Sequence, residues 1–239
     1  MSNIKLLYEK QIPVNDSIKI VIPTVGDIID SDESSYYGMV SSLTSSPYDM
    51  MAQLDEAGVD FTKINSYDLF LLLFPSLQAQ DTSLIFGDLD LTKFKFAINE
   101  QTEMLVLLDV ENDITIDKAI YEKIAMTLRA IHHLEKNNRK PANEEAKKYL
   151  LEKAKRKLRR QRNRKQESQL EPLIVAMVNT EQYKFDFERT KELSIYQFNE
   201  CVKQVINKVA YDNRMHGVYS GTISVKDLSQ DDLNWLVHK

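Results

Sequence analysis

The chain has little cysteine, glycine and proline, and each shortage excludes a class of protein. Its 239 residues include a single cysteine, Cys201, so no disulfide can form within the chain, which is typical of a reducing compartment. Six glycines and six prolines exclude collagen-like and proline-rich sequences. The longest apolar run, LFLLLF at residues 69–74, is far shorter than the roughly 20 residues that span a bilayer. The N-terminus lacks the apolar core of a signal peptide, so we expect a soluble cytoplasmic protein with no membrane partner.

The charge of the chain is negative overall but unevenly distributed. The net charge is −5, yet residues 147–165 contain eleven Lys or Arg and one acid, a charge of +10. The rest of the chain, with 20 bases against 35 acids, carries −15. A basic segment of this kind can bind nucleic acid, an acidic partner, or the acidic surface of its own chain.

Apolar patterning predicts an α+β fold in three parts. Residues 1–138 read as an α+β domain of short hairpins and helices, residues 139–169 as a basic helical connector, and residues 170–239 as a helical C-terminal domain. The connector has a narrow apolar stripe that ends at Leu158, so nothing apolar remains to bury beyond it, and we expect fraying or a kink near Asn163. Whether the two ends of the chain share one core stays open.

In the first part, alternating or β-branched runs predict two hairpins. One pairs residues 4–8 with 17–22, and the other pairs residues 94–98 with 104–108. The Ser- and Tyr-rich stretch 30–47 reads as a loop or a short irregular helix.

Capping and helix-ending residues predict three helices in the same region. A short helix over residues 48–57 precedes Gly58, and Asn65 or Ser66 caps a second helix that Pro75 closes. The strongest amphipathic stripe consists of Ile120, Ile124, Leu128, Ile131 and Leu134, in a helix that ends at residues 137–138.

The last part begins with a helix at Leu170 that has Pro172 in its first turn. An alternating segment follows, in which we expect Tyr183, Phe185 and Phe187 to be exposed. Ser194 caps a long helix whose apolar face is formed by Ile195, Phe198, Val202, Val205, Ile206 and Val209.

No pattern in the sequence indicates catalysis or metal binding. His132 and His133 are adjacent, so on a helix they point about 100° apart and cannot share a metal ion. The acidic run DVENDITID at residues 109–117 lacks the glycine and the final glutamate of a calcium loop. We therefore expect no enzyme, no metal site and no cofactor.

Several stretches of the last part together resemble a known group of proteins. The stretches NEEAKKYLLEKAKRKLRRQ, LEPLIVAMVNTEQYKFDFERTKELSIYQFNECVKQV and YDNRMHGVYSGTISVKDLSQDDLNW are similar to small morphogenesis proteins encoded among the tail genes of phages and prophages of Gram-positive bacteria. Within that group the tail assembly chaperone fits best. The resemblance implies a non-enzymatic protein of the host cytoplasm that keeps the long hydrophobic helices of the tape-measure protein soluble.

The partner surfaces follow from the residues themselves. We expect Tyr183, Phe185 and Phe187 to cover amphipathic helices of a partner, while the basic helix steers the partner or fixes the two ends of the chain. The expected partners are tape-measure, tube or baseplate subunits, with a homo-oligomer possible.

Two alternatives remain open. One is a structural tail or baseplate subunit incorporated in the virion. The other is a nucleic-acid-binding regulator, which would bind phosphates through basic residues of the connector. These residues are Lys155, Arg156, Arg159, Arg160, Arg162 and Arg164.

Overall fold

Helices dominate the fold, and two small antiparallel sheets complete it. The computed structural model describes residues 4–162 and 167–236, which contain eleven helices and five strands. The α+β class is therefore confirmed. No helix in these two ranges is long and apolar enough to cross a membrane.

The first hairpin lies later in the chain than the sequence predicts. Residues 4–8, predicted as a strand, form helix α1 (Ile4–Tyr8). Strand β1 (Gln11–Pro13) pairs instead with β2 (Lys19–Val21). The turn decides this register, because the Asn15 side chain accepts hydrogen bonds from the amides of Ser17 and Ile18 and closes the chain directly after β1.

A series of short helices follows the hairpin. The stretch predicted as a loop contains a twelve-residue helix that is capped by the Asp32 side chain, and it buries Tyr36, Met39, Val40 and Leu43. Tertiary packing outweighs the weak helix propensity of its serines and tyrosines. The helices are α2 (Val25–Asp30), α3 (Glu33–Thr44), α4 (Met51–Glu56), α5 (Ser66–Gln78) and α6 (Ser83–Phe86).

Helix α5 begins where the sequence predicts but does not end at the proline. Asn65 and Asp68 form a capping box at its start. The helix then continues through Pro75 to Gln78. Pro75 is exposed, whereas Phe74 and Leu77 on either side are fully buried, so packing of the next turn compensates for the amide hydrogen bond that the proline lacks.

The second predicted hairpin is confirmed and gains a third strand. Strand β3 (Lys95–Ile98) pairs with β4 (Leu105–Asp109), and β4 pairs with β5 (Ile114–Ile116). In the turn between β4 and β5, the Asp109 carboxylate accepts hydrogen bonds from Asn112 and Glu111. The bond from the Asn112 side chain is the main cause that lowers the pKa of Asp109. The first acidic residue of this run, Asp109, therefore stabilises the turn between β4 and β5.

Helix α7 (Lys118–His132) confirms the amphipathic stripe, since Ile124, Leu128 and Ile131 are buried. It ends earlier than predicted, because His133 adopts the left-handed conformation with φ of 54°. Leu134 therefore leaves the helix and stays exposed.

The described residues after α7 are mainly helical. Pro172 lies in the first turn of its helix, and Ser194 forms a capping box with Gln197, both as predicted. Residues 163–166, where the fraying was predicted, lie outside the described residues. The helices are α8 (Glu144–Arg162), α9 (Leu170–Val178), α10 (Phe187–Glu192) and α11 (Ile195–Tyr219), followed by two 3₁₀ turns at Val225–Asp227 and Asp231–Leu233.

One apolar core contains residues from both ends of the chain. Leu170, Met177 and the first turn of α11 belong to the same cluster as the first hairpin and α7. The amide of Val25 donates to the Leu193 carbonyl at 2.9 Å, and the amide of Ile195 donates to the Pro23 carbonyl at 2.8 Å. The two ends therefore share a core, while the division into three domains stays a prediction.

His132 is a buried polar residue in this core. Its Nε2 shares a hydrogen bond of 2.9 Å with the Tyr36 hydroxyl, and the Tyr37 ring lies beside it. Burial, together with the neighbouring His133, lowers the pKa of His132 to about 4. The imidazole is therefore neutral in the folded protein at neutral pH.

This burial predicts a loss of stability in mild acid. Because the folded pKa lies below the ordinary value of 6.5, the unfolded chain takes up the proton first. The stability that the neutral His132 side chain contributes is fully present above pH 6.5 and is lost as the pH falls towards 4. Between pH 7 and 5, the free energy of unfolding should fall by about 2 kcal/mol more in the wild type than in His132→Gln. Urea unfolding measures this difference.

His216→Gln, which changes an exposed imidazole, should keep the wild-type pH dependence; equal slopes in all three proteins would contradict the prediction.

Candidate functional site

The basic helix α8 lies along α4 and the loop that follows it. Three ion pairs join them: Lys147 to Asp60 at 2.9 Å, Lys155 to Asp55, and Arg162 to Glu56 at 2.7 Å. These three cations lie on one side of α8, which we call its inner face. The chain's own acidic surface is therefore one ligand of the basic segment.

Little apolar contact accompanies these ion pairs. No residue of α8 is buried. Leu151 packs against a small second cluster built on Leu54, Phe61 and Leu69, and the Lys147 ammonium lies 5.6 Å from the centre of the Phe61 ring. The attachment of α8 is thus mainly electrostatic, and partly exposed ion pairs of this kind contribute only about 0.2–1 kcal/mol each.

The Lys147–Asp60 pair is the most structured of the three. Hydrogen bonds from the Lys147 ammonium, then from the Thr62 hydroxyl and amide, hold the pKa of Asp60 well below its usual range. The hydrogen bond to Asp60 raises the pKa of Lys147 in turn. Both groups are therefore charged at neutral pH, and the pair weakens when the pH falls through the lowered pKa of Asp60 or rises through the raised pKa of Lys147.

The predicted basic residues divide between two faces of α8. Lys155 and Arg162 lie on the inner face, paired with carboxylates. Arg156 and Arg160 are exposed on the other side, and Arg159 is exposed at the boundary between the two faces. Arg164 lies outside the described residues.

The outward side also carries a tyrosine that the sequence analysis did not select. Tyr149 is 68% exposed and precedes Lys153, Arg156 and Arg160 by four, seven and eleven residues. That spacing places all four on one helical stripe. This spacing can be read from the sequence alone, so sequence analysis could have identified Tyr149.

The three predicted aromatic contacts do not form one exposed surface. Tyr183 is only 8% exposed, and its hydroxyl shares a hydrogen bond of 3.0 Å with the buried Thr190. Phe185 is half-buried against the Tyr183 ring, and Phe187, the first residue of α10, is 49% exposed. The expectation that Tyr183 is exposed is wrong, because the turn before α10 folds its ring inward. Their role in partner binding stays a prediction.

Apolar surface is instead available along α11. The first turn of α11 is buried in the core, but none of the residues from 199 to 236 is buried. Val202 and Val205 are half-buried against the core, whereas Ile206, one turn further along the same stripe, is 61% exposed and Val209 is also exposed. The apolar face of α11 thus continues beyond the core that covers its beginning.

The chain after α11 folds back on another side of the helix. Arg214 donates a hydrogen bond of 2.9 Å to the Asp232 carbonyl, and the Lys208 ammonium lies 5.9 Å from the centre of the Trp235 ring. This return of the chain leaves Ile206 and Val209 exposed.

A cleft of about 520 Å³ lies between α3, α7 and α9. Leu134, Leu170 and Leu173 form apolar parts of its lining, and Arg129 and Glu135 form charged parts. Arg129 is held in place because its guanidinium donates to the Thr44 carbonyl. The cleft is a second concave apolar surface beside α9.

Among the described residues, no group of three or more His, Cys, Asp or Glu side chains could hold a metal ion. Cys201, near the start of α11, is a partly buried thiol whose pKa is raised by burial. A raised pKa keeps the thiol protonated and poorly nucleophilic.

Comparison with known proteins gives one match. The family model described as YomV second domain matches residues 162–238, which take in α9, α10, α11 and both 3₁₀ turns. This family is of phage and prophage type. The match supports a phage origin. No curated protein and no solved structure matches the chain.

The docking of α8 predicts a local effect of removing its acidic partners. In Asp55→Asn/Glu56→Gln/Asp60→Asn, the three lost ion pairs are together worth about 1–2 kcal/mol, so amide hydrogen exchange in α8 should accelerate about five- to thirtyfold. The free energy of global unfolding should change much less, because α8 buries no residue. Hydrogen exchange with mass spectrometry measures the local effect. Asp16→Asn/Asp88→Asn/Glu192→Gln removes three exposed acids elsewhere as a control, and equal exchange of α8 in both variants would show that the ion pairs do not hold it.

Proposed function

We propose that this chain is a non-enzymatic phage tail assembly protein that binds the tape-measure protein during tail morphogenesis. The family match supports the phage origin, and the resemblance of the last part to tail-module proteins supports the tail role. In this proposal the protein acts in the host cytoplasm, before the tail tube polymerises around the tape measure.

The uncovered apolar stripe of α11 is the observation that carries the proposal. A stretch of 38 consecutive residues, 199–236, contains no buried residue, although it includes Ile206, Val209, Tyr219 and Trp235. Exposed apolar surface at helical spacing is the usual feature of a protein that binds another helix. The hydrophobic helices of a tape-measure protein are partners that such a surface can bind.

The mode of binding follows from this surface. An amphipathic helix of the partner lies against α11 at Ile206 and Val209, and the cleft beside Leu134 and Leu173 takes up a further apolar side chain. Each fully buried aliphatic side chain contributes about 1.5–3 kcal/mol, so a few such contacts are enough to keep a hydrophobic helix from aggregating.

Acidic substitutions on the stripe test the proposal. Ile206→Glu/Val209→Glu should weaken binding of the tape-measure protein at least about thirtyfold, because it removes apolar contacts worth about 2 kcal/mol or more and places two charges in the interface. The measurement is the amount of soluble tape-measure protein that co-purifies with the tagged chain after co-expression. Both positions are exposed, so urea unfolding of the variant should match the wild type.

A matched control uses apolar residues exposed elsewhere. Met126→Glu/Val110→Glu changes an outward position of α7 and a residue of the turn after β4, and it should leave co-purification unchanged. Equal recovery of the tape measure with both variants would contradict the proposed surface. Recovery of the chain in purified virions at fixed stoichiometry would favour the alternative of a structural tail subunit.

A further inference from the structure

The side of α8 that faces away from α4 forms a straight basic stripe. Tyr149, Lys153, Arg156 and Arg160 recur at intervals of four, three and four residues, and Lys157 and Arg159 flank them. We call these six residues the outer basic face. All six are exposed, and from Tyr149 to Arg160 the stripe measures about 16 Å at the rise of an α-helix.

Among the residues that the structure describes, most of the charge of this face is not neutralised. Within residues 4–162 and 167–236, the only ion pair on the outer face joins Arg156 to Glu152 at 3.4 Å. The inner face, in contrast, has its cations paired with Asp55, Glu56 and Asp60. The outer basic face therefore carries five cations and one acid. Repulsion between its like charges destabilises the helix.

The inner face shows which ligand this helix accepts. It binds carboxylates that come from a neighbouring helix and its following loop, and Arg162 does so through two nitrogens, at 3.3 and 2.7 Å from the two oxygens of Glu56. The outer face offers the same side chains at helical spacing on the opposite side.

We propose that the outer basic face binds an acidic helical segment of a protein partner, with carboxylates at positions i, i+4 and i+7 opposite Arg160, Arg156 and Lys153. The guanidinium and ammonium groups pair with these carboxylates, and the Tyr149 ring packs on the aliphatic parts of the partner's side chains. This surface lies on the connector and shares no residue with the apolar stripe of α11, so it does not rest on the proposed function.

The dimensions of the face favour a short acidic segment over a nucleic acid. About 16 Å spans only about five phosphates of one strand at B-DNA spacing. A longer polyanion would extend over the rest of the chain, which carries −15, and over Glu144 and Glu145 at the start of α8. Repulsion there opposes binding of a long strand, whereas a single helical segment ends before it reaches those acids.

Fluorescence anisotropy of labelled probes tests the proposal on the full chain in 50 mM salt. The first probe is an alanine-based helical peptide with glutamates at i, i+4 and i+7. The second has the same composition with the glutamates distributed around the helix, and the third is a twenty-residue oligothymidylate. The striped peptide should bind at least fivefold more tightly than the distributed peptide and more tightly than the oligonucleotide.

Charge-matched variants locate the binding surface. Lys153→Gln/Arg156→Gln/Arg160→Gln should weaken binding of the striped peptide at least tenfold. Lys10→Gln/Lys19→Gln/Lys184→Gln removes the same charge from exposed positions elsewhere and should change it less than twofold. Glutamine is a good helix former, so circular dichroism of both variants should match the wild type.

Two results would overturn the proposal. Tighter binding of the oligonucleotide than of the striped peptide, lost in the outer-face variant, would make this a nucleic-acid surface. Equal binding of the striped peptide by the wild type and the outer-face variant would make it a solvated helix face.

Discussion

The structure depends on the junction between the first hairpin and the start of α11. Backbone hydrogen bonds connect Pro23 and Val25 to Ile195 and Leu193, and Thr24 and Ser194 form an isolated β-bridge. The approach is close: a side chain at Gly26 would lie 3.2 Å from the Lys191 carbonyl oxygen. Because this junction fixes the first turn of α11 in the core, it also fixes the direction in which the rest of that helix projects.

Two kinds of attachment follow, and they differ in strength. The beginning of α11 is held by buried apolar side chains, whereas α8 is held by partly exposed ion pairs that salt or competing charges weaken. The surfaces that remain uncovered are of the same two kinds, apolar on α11 and basic on α8. The proposed binding surfaces are therefore continuations of contacts that the fold already makes.

Local signals in the sequence predicted the second hairpin and several of the helices, but not α1 or α3. The stripe of α7 and the cap at Ser194 could be predicted because periodicity and capping depend on neighbouring residues. The passage of α5 through Pro75 depends on packing against other elements of the core. The pairing of Arg162 with Glu56 joins residues 106 positions apart, which no local pattern reveals. For the same reason, the basic segment was recognised but its division into two faces was not.

We propose that the tape-measure protein binds the apolar face of α11 beyond the core. The most direct test replaces Ile206 with a photoreactive amino acid, p-benzoylphenylalanine, in cells that produce the phage, and identifies what is cross-linked on irradiation. We expect a cross-link to the tape-measure protein from position 206 and none from the same amino acid at Met126, which is 67% exposed on α7. Absence of the cross-link at position 206, or an equal yield from both positions, would contradict it.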